Sequence, residues 1–162
     1  MKNYIFIDTP IGKMTLVEEN GFICRLAYGE LSLEDSCENE TELLHKAKKQ
    51  LEEYFSGERK EFDLPLRPVG TVFQLSVWEA LLEIPYGKAV TYKTIANKIH
   101  QPCAARGVGM ANNKNPIAII IPCHRVIGAK GIVKGYAGGT DKLKFLLTLE
   151  NITTVEDFPI KW

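Results

Sequence analysis

Among the 162 residues, the run with the most chemistry in it is Pro122-Cys123-His124-Arg125. A cysteine attacks carbon as its thiolate, and from a free pKa of about 8.5 it needs a cationic or basic neighbour to populate that form at neutral pH. Cys123 has an imidazole and a guanidinium in the next two positions. In a regular strand, adjacent side chains point to opposite faces, so adjacency alone does not bring the imidazole to the sulfur. Pro122 before it and Gly128 after it favour an irregular segment in which a water could bridge the two groups. From spacing alone two readings stay open: a nucleophilic Cys-His pair, and a buried inert cysteine beside an ordinary histidine. The other cysteines, Cys24, Cys37 and Cys103, form no C-x-x-C pair, so neither structural zinc nor a disulfide framework is expected.

The charge around that cysteine is basic. Residues 1–81 carry 9 Lys and Arg against 15 Asp and Glu, whereas residues 82–162 carry 11 against 5, so a formal net charge of zero conceals opposite halves. Between Gly87 and Phe145, ten basic residues meet a single acid, Asp141. Such a field suits a polyanion, although a solvated basic face accounts for it as well. The stretch Ala104-Ala105-Arg106-Gly107-Val108-Gly109-Met110-Ala111 reads as helix, yet each glycine in it costs roughly 1 kcal/mol relative to alanine. A helix whose small face presses into a narrow groove would offset that cost, as would tight packing of helix on helix.

The elements that must position these residues are legible in outline. With 45% hydrophobic and 25% charged residues, the chain is of globular type, which excludes wholesale disorder, collagen-like repetition and low complexity. Its longest apolar run, residues 117–121, falls far short of the roughly 20 residues that span a bilayer. The start, Met1-Lys2-Asn3-Tyr4-Ile5, lacks a signal-peptide core, so a reducing, cytoplasmic location is expected. Residues 4–8, 13–18 and 22–28 alternate as strands, with Asn20-Gly21 at a hairpin turn. Residues 40–55 place Leu43, Leu44, Ala47, Leu51, Tyr54 and Phe55 at helical spacing before Gly57. Residues 61–66 form a candidate short strand, and two prolines and a glycine in 65–70 mark a linker.

Beyond the linker, Thr71-Val72-Phe73-Gln74 is a capping box for a helix that ends at Pro85-Tyr86-Gly87, with Phe73, Val77, Leu81 and Ile84 on one face. Thr91 caps residues 92–99, Gln101-Pro102 breaks that helix, and residues 103–113 form the next one, ending at Asn115-Pro116. Two short helices joined by a tight break are a helix-turn-helix. Residues 117–121 read as a buried strand, and Thr140 caps a last helix with Leu143, Leu146 and Leu147 inward and Glu150 near its end. The tail, 151–162, shows no pattern. The division is therefore an α/β unit over residues 1–70 and a second unit over 71–162.

Ile121-Pro122-Cys123-His124-Arg125-Val126 resembles the active-site signature of the O6-alkylguanine-DNA alkyltransferases, which move an alkyl group from guanine onto a protein cysteine. Phe73-Gln74 with Val77-Trp78, Ile84-Pro85-Tyr86-Gly87, Thr91-Tyr92 with Ile95-Ala96, Ala104-Ala105-Arg106 with Val108-Gly109, Asn115-Pro116, and Gly135-Tyr136 with Gly138-Gly139 are similar to that family in the same order. The resemblance covers residues 71–150. It implies an α+β fold: a small N-terminal antiparallel sheet with a helix, ribonuclease H-like, and a C-terminal winged-helix-like helix-turn-helix domain carrying the cysteine.

Carried over residue by residue, the resemblance implies that Cys123 accepts the alkyl group. His124 would activate it through a water as a thiolate-imidazolium pair, Glu150 would orient the imidazole, and Asn115 would brace the hinge into the active-site segment. Tyr92 would donate to the departing purine and crowd the phosphate so that the nucleotide rotates out. Arg106 would take the vacated place in the stack, with Ala105, Gly107, Gly109 and Met110 resting in the minor groove. Tyr136 would line the base pocket, the Ala137 amide would donate to O6, and the carbonyls of Cys123 and Val126 would accept from the exocyclic amine. The position of Ala137 is often serine in the family, and a backbone contact survives that change. No metal and no cofactor are implied. The implied partner is double-stranded DNA containing O6-alkylguanine, with O4-alkylthymine as a second candidate, met by a monomer that acts once.

Two rival functions stay open. One is a non-enzymatic, alkyltransferase-like lesion sensor, in which tryptophan typically replaces the cysteine. The other is a helix-turn-helix transcription factor with Cys123 as a redox switch.

Overall fold

The computed structural model describes residues 1–133 and 135–162. They form two compact units: Met1–Val69 with Pro116–Ile120, and Gly70–Asn115 with Ile121–Trp162. In the first unit β1 (Lys2–Thr9), β2 (Gly12–Glu19) and β3 (Phe22–Tyr28) form two antiparallel hairpins. Asn20 and Gly21 both have positive φ, 52° and 82°, the pairing that matches a two-residue turn to the twist of its strands. A short edge strand, β4 (Ser36–Glu38), adds to β1 in parallel, giving the order β3-β2-β1-β4. The sheet is thus not purely antiparallel, and three residues are too few for β4 to show a period.

Helix α1 (Glu42–Phe55) begins two residues after the expected start and is capped by Thr41, whose hydroxyl accepts from the Leu44 amide at 3.2 Å. It buries Leu44, Ala47, Leu51 and Tyr54 and packs on β1, β2 and β3. The expected strand at 61–66 does not form. Only Leu66 bridges Ile23, because the Gln50 amide takes over the backbone of Asp63, donating to its carbonyl at 3.2 Å and accepting from its N–H at 2.9 Å.

Residues 117–121 are also not a strand. Ile117 makes a single bridge to Leu26. The chain then turns at Ile119 (φ 71°), where the Ile120 amide donates to the Ala118 carbonyl at 2.8 Å. The inference of burial holds, since Ile117, Ile119 and Ile121 are all fully buried. Periodicity cannot separate a short buried strand from other buried backbone, and here the side chains anchor a left-handed isoleucine that costs of order 1–3 kcal/mol on its own.

The second unit opens with α2 (Val72–Leu81), closed at its start by the expected capping box: Gln74 N–H to Thr71 Oγ1 at 3.1 Å, and Thr71 N–H to Gln74 Oε1 at 3.0 Å. It stops at Leu81, short of Pro85. After β5 (Val90–Thr91), Thr91 caps α3 (Tyr92–Lys98) through the Thr94 amide at 3.2 Å. His100 turns the chain at φ 62°, and α4 (Ala105–Asn113) follows, so the helix-turn-helix is present. Strand β6 (Val126–Ile127) pairs in parallel with β5. Helix α5 (Thr140–Leu149) is capped by Gly139 at φ 98°, not by Thr140, which is its first helical residue and makes no side-chain cap. The tail folds into a hairpin of β7 (Thr154–Val155) and β8 (Phe158–Pro159). Its Ile152 and Val155 complete a core with Ala89, Ile127, Leu143 and Leu147. Among the described residues no helix is long and apolar enough to cross a membrane.

Candidate active site

Two tight turns aim Cys123. Pro122 (φ −80°, ψ 66°) is the centre of a three-residue turn in which the Cys123 amide donates to the Ile121 carbonyl at 2.8 Å. Cys123–Arg125 then make one turn of 3-10 helix, so Cys123 and His124 are not held on opposite faces as they would be in a strand. Two asparagines fix this backbone. Asn115 Nδ2 donates to the Ile121 carbonyl at 2.8 Å, which joins the residue where the chain leaves the second unit to the residue where it returns. Asn112 Nδ2 donates to the Cys123 carbonyl at 3.2 Å. The cysteine is 6% exposed, and its sulfur stands 4.0 Å from the Tyr136 hydroxyl.

Behind the cysteine lies a buried ionic cluster. His124 Nε2 is 2.6 Å from Glu150 Oε2, and both side chains are fully buried. Arg125 donates to the same carboxylate from Nε at 2.8 Å and from Nη2 at 3.2 Å, and from Nη1 to the Ile84 carbonyl at 2.8 Å. The Gly87 amide adds a further bond to Glu150 Oε1 at 3.1 Å. Burial pushes the Glu150 carboxyl up, but the bonds and charges of His124 and Arg125 outweigh it and hold the group down at about 2. An ionised carboxylate only accepts, so His124 Nε2 must carry a proton toward it, which leaves Nδ1 as the lone-pair nitrogen of a neutral ring. Burial holds the His124 ring below its ordinary range, against the carboxylate's pull. The imidazolium implied by the family resemblance is thus opposed by burial and favoured by Glu150. Nδ1 is buried and has no protein partner among the described residues.

Beside this cluster, Tyr92, Asn112, Val126, Ile127, Gly135, Tyr136 and Leu143 line a narrow pocket. Tyr92 is half-buried and its phenol is pushed up by burial, with Cys123 adding to the shift. Val126 is buried, Tyr136 is half-buried, and Ala137 is exposed in the following turn. On α4 the buried residues are Val108, Ala111 and Asn112, whereas Arg106 and Met110, one turn apart, are exposed, Met110 to 66%. Ala105 and Gly109 are partly exposed, and Ala104 at the helix start offers no side-chain cap, which leaves the first N–H groups open. The glycines prove to be tied to packing as well. A Cβ on Gly107 would meet the Phe73 ring at 3.3 Å and one on Gly109 the Tyr92 ring at 3.7 Å, so Gly107 serves the close approach of α4 to α2. Trp78 Nε1 donates to the Ala111 carbonyl at 2.9 Å and locks the same pair of helices. No cluster of three His, Cys, Asp or Glu side chains fit to hold a metal ion occurs among the described residues.

Comparison with known proteins meets the same residues. The sequence model of the 6-O-methylguanine DNA methyltransferase ribonuclease-like domain matches residues 2–68, and that of the DNA binding domain of the same methyltransferase matches residues 72–152. The chain belongs to the 6-O-methylguanine DNA methyltransferase family. A methylated-DNA--protein-cysteine methyltransferase of Methanosarcina acetivorans is 51% identical, over 91% of this chain and 97% of its own. The constitutive methylated-DNA--protein-cysteine methyltransferase of Bacillus subtilis is 43% identical over 96% and 99%. The crystal structure of Mycobacterium tuberculosis OGT in complex with DNA superposes with a TM-score of 0.85 at 46% identity, covering 91% of this chain and 92% of that one.

Within this methyltransferase fold, four contributors escape sequence reasoning. In the chain Arg125 is only a nearby charge, yet it clamps Glu150 in the fold. A lone guanidinium flanked by the apolar run 117–121 and by Val126-Ile127 is the available signal, since a buried charge demands a partner. Ile84 and Gly87 read as a helix end, but they supply a carbonyl to Arg125 and an amide to Glu150. Asn112 carries no sequence signal that distinguishes it from its exposed neighbour Asn113.

Proposed function

We propose that this protein repairs duplex DNA by transferring the alkyl group of O6-alkylguanine irreversibly to Cys123, once per molecule. The observation that carries the reading is the His124-Glu150-Arg125 cluster directly behind a cysteine whose sulfur stands 4.0 Å from the hydroxyl of Tyr136, a residue that lines the pocket. Membership of the methyltransferase family supports it. The protein acts as a cytoplasmic monomer.

The nucleotide leaves the stack at a cost of a few kcal/mol. Arg106, with Ala105, Gly109 and Met110 beside it, enters from the minor groove and replaces the base. Tyr136, Val126 and the amide of Ala137 receive it. The Cys123 proton passes, through a bridging water, toward His124 Nδ1, whose opposite nitrogen is pinned by Glu150. The sulfur then attacks the alkyl carbon in line, the C–O6 bond breaks, and its electron pair stays on the purine. The Tyr92 hydroxyl donates to the purine ring as that charge develops, and the proton lost by the thiol ends on the freed guanine. Asn115 keeps the sulfur-bearing turn in place through the Ile121 carbonyl. Among the described residues of the site no second nucleophile is placed to release the thioether, which makes the protein a stoichiometric reagent.

The test is incubation with a duplex containing O6-methylguanine under reducing conditions, followed by mass spectrometry of the tryptic peptide that contains Cys123. One methyl mass is gained irreversibly, and Cys123→Ala binds the duplex without gaining it. A lesion sensor or a redox-switched transcription factor leaves the peptide unmodified, and that outcome refutes the proposal.

A further inference from the structure

Residues 152–162 are fastened at two places beside the base pocket. The first is the segment that leads into Tyr136. Ala129–Gly131 make a single 3-10 turn, and Gly131 is buried with φ 81°. A Cβ on Gly131 would overlap the Pro159 carbonyl oxygen and stand 3.3 Å from the Ile160 Cα, so only glycine lets the tail backbone approach this closely. Hydrogen bonds join the two segments in both directions: the Lys161 amide donates to the Gly131 carbonyl at 2.7 Å, and the Val133 amide to the Lys161 carbonyl at 3.3 Å.

The second is α3. Glu156, in the turn between β7 and β8 with φ 52°, accepts from the Thr94 hydroxyl at 2.7 Å, two residues beyond Tyr92. Between the two ties, Ile152 and Val155 belong to the core on which Val133 and Tyr136 pack. Tyr92 and Tyr136 both line the pocket, so one hairpin holds the elements that carry both. Burial explains this tail only in part. Ile160 packs on that core, but Phe158 and Trp162 stay 44% and 54% exposed. A chain end is ordinarily loose unless tied down, and here a buried, left-handed glycine is committed to tying it.

We propose that the C-terminal hairpin positions the alkylated base: by joining α3 to the segment before Tyr136 it fixes the gap between the two tyrosines, with Gly131 and Lys161 as positioning residues. The inference rests on the alkyl-transfer reading above and deepens it. A pocket wall displaced by about 1 Å can cost on the order of 100-fold in rate, because the alkyl carbon must meet the sulfur in line.

The experiment uses two full-length variants. Gly131→Ala forces the Pro159 backbone away, and Lys161→Pro removes the amide that donates to Gly131 while keeping the carbonyl that accepts from Val133. Single-turnover transfer at saturating O6-methylguanine duplex is compared with capture of Cys123 by iodoacetamide, a small electrophile that needs no base pocket. Both are read on the tryptic peptide that contains Cys123. Transfer slows about tenfold or more in each variant, while iodoacetamide capture does not slow. If Gly131→Ala does not fold, Lys161→Pro is read alone. Unchanged transfer in either folded variant, or iodoacetamide capture slowed in step with transfer, overturns the proposal, because a hairpin that merely supports the core loosens the cysteine turn for both reagents alike. Absence of transfer by the wild-type protein would overturn the alkyl-transfer reading itself and is recognised separately.

Discussion

Replacing Glu150 with glutamine removes one charge and almost no volume, yet the structure makes it a severe change. Each bond to the carboxylate comes from a donor: His124 Nε2, Arg125 Nε and Nη2, and the Gly87 amide. An amide can accept through one end only, so its NH2 must face donors, and the Arg125 guanidinium loses its counter-charge while still buried. The carboxyl is held at about 2 against an ordinary 4.5, and at 1.36 kcal/mol per pKa unit this amounts to about 3 kcal/mol of stability carried by the charged form. Being a depressed carboxylate, it contributes fully above pH 4.5 and loses its contribution as pH falls through about 2. His124 is depressed too, so its share is present above its ordinary 6.5 and fades on acidification in the same direction.

The assay is urea unfolding of wild type and Glu150→Gln at pH 7.5 and pH 3. At pH 7.5 the variant is less stable by about 3 kcal/mol, a melting shift of roughly 6–12 °C for a chain of this size, and at pH 3 the gap narrows. The variant that remains folded transfers methyl groups about 100-fold more slowly, because nothing then compels His124 to present its lone pair at Nδ1. A loss below about 1 kcal/mol at pH 7.5, or an equal deficit at both pH values, would refute the argument that the carboxylate is held ionised by these donors.

Arg106→Ala, at an exposed and uncapped helix start, changes stability by less than about 0.5 kcal/mol. It slows transfer from duplex DNA without slowing reaction with a free alkylguanine base, as paired rate measurements would reveal. Asn115→Ala removes the bond that closes the 116–120 excursion, and chemical denaturation records a loss of about 1 kcal/mol together with slower alkylation of Cys123. Duplex affinity falls linearly in log–log form as salt rises, since phosphate neutralisation dominates it; filter binding between 50 and 200 mM salt that showed a flat response would contradict the basic field of the second unit.

What sequence could reveal here follows from how local each interaction is. The Asn20-Gly21 hairpin, the Thr71-Gln74 capping box and the Thr91 cap are short-range chemistry, and the structure reproduces each of them. The failures occur where a distant partner decides. Gln50, thirteen residues away, takes the backbone hydrogen bonds that a strand at 61–66 would have needed, and the apolar run 117–121 gains its burial without a ladder because Ile119 turns it. The site divides in the same way. The adjacency of Cys123 and His124 is written in the chain, but its meaning depends on Glu150, 26 residues on, and on Arg125, which reaches both that carboxylate and the carbonyl of Ile84. A histidine buried in an apolar run would be an inert core residue if Nε2 met a carbonyl. Met by an ionised carboxylate that a guanidinium keeps charged, the same ring is compelled to present a basic nitrogen on its other side, and that is the step by which tertiary structure turns a common dipeptide into a nucleophile.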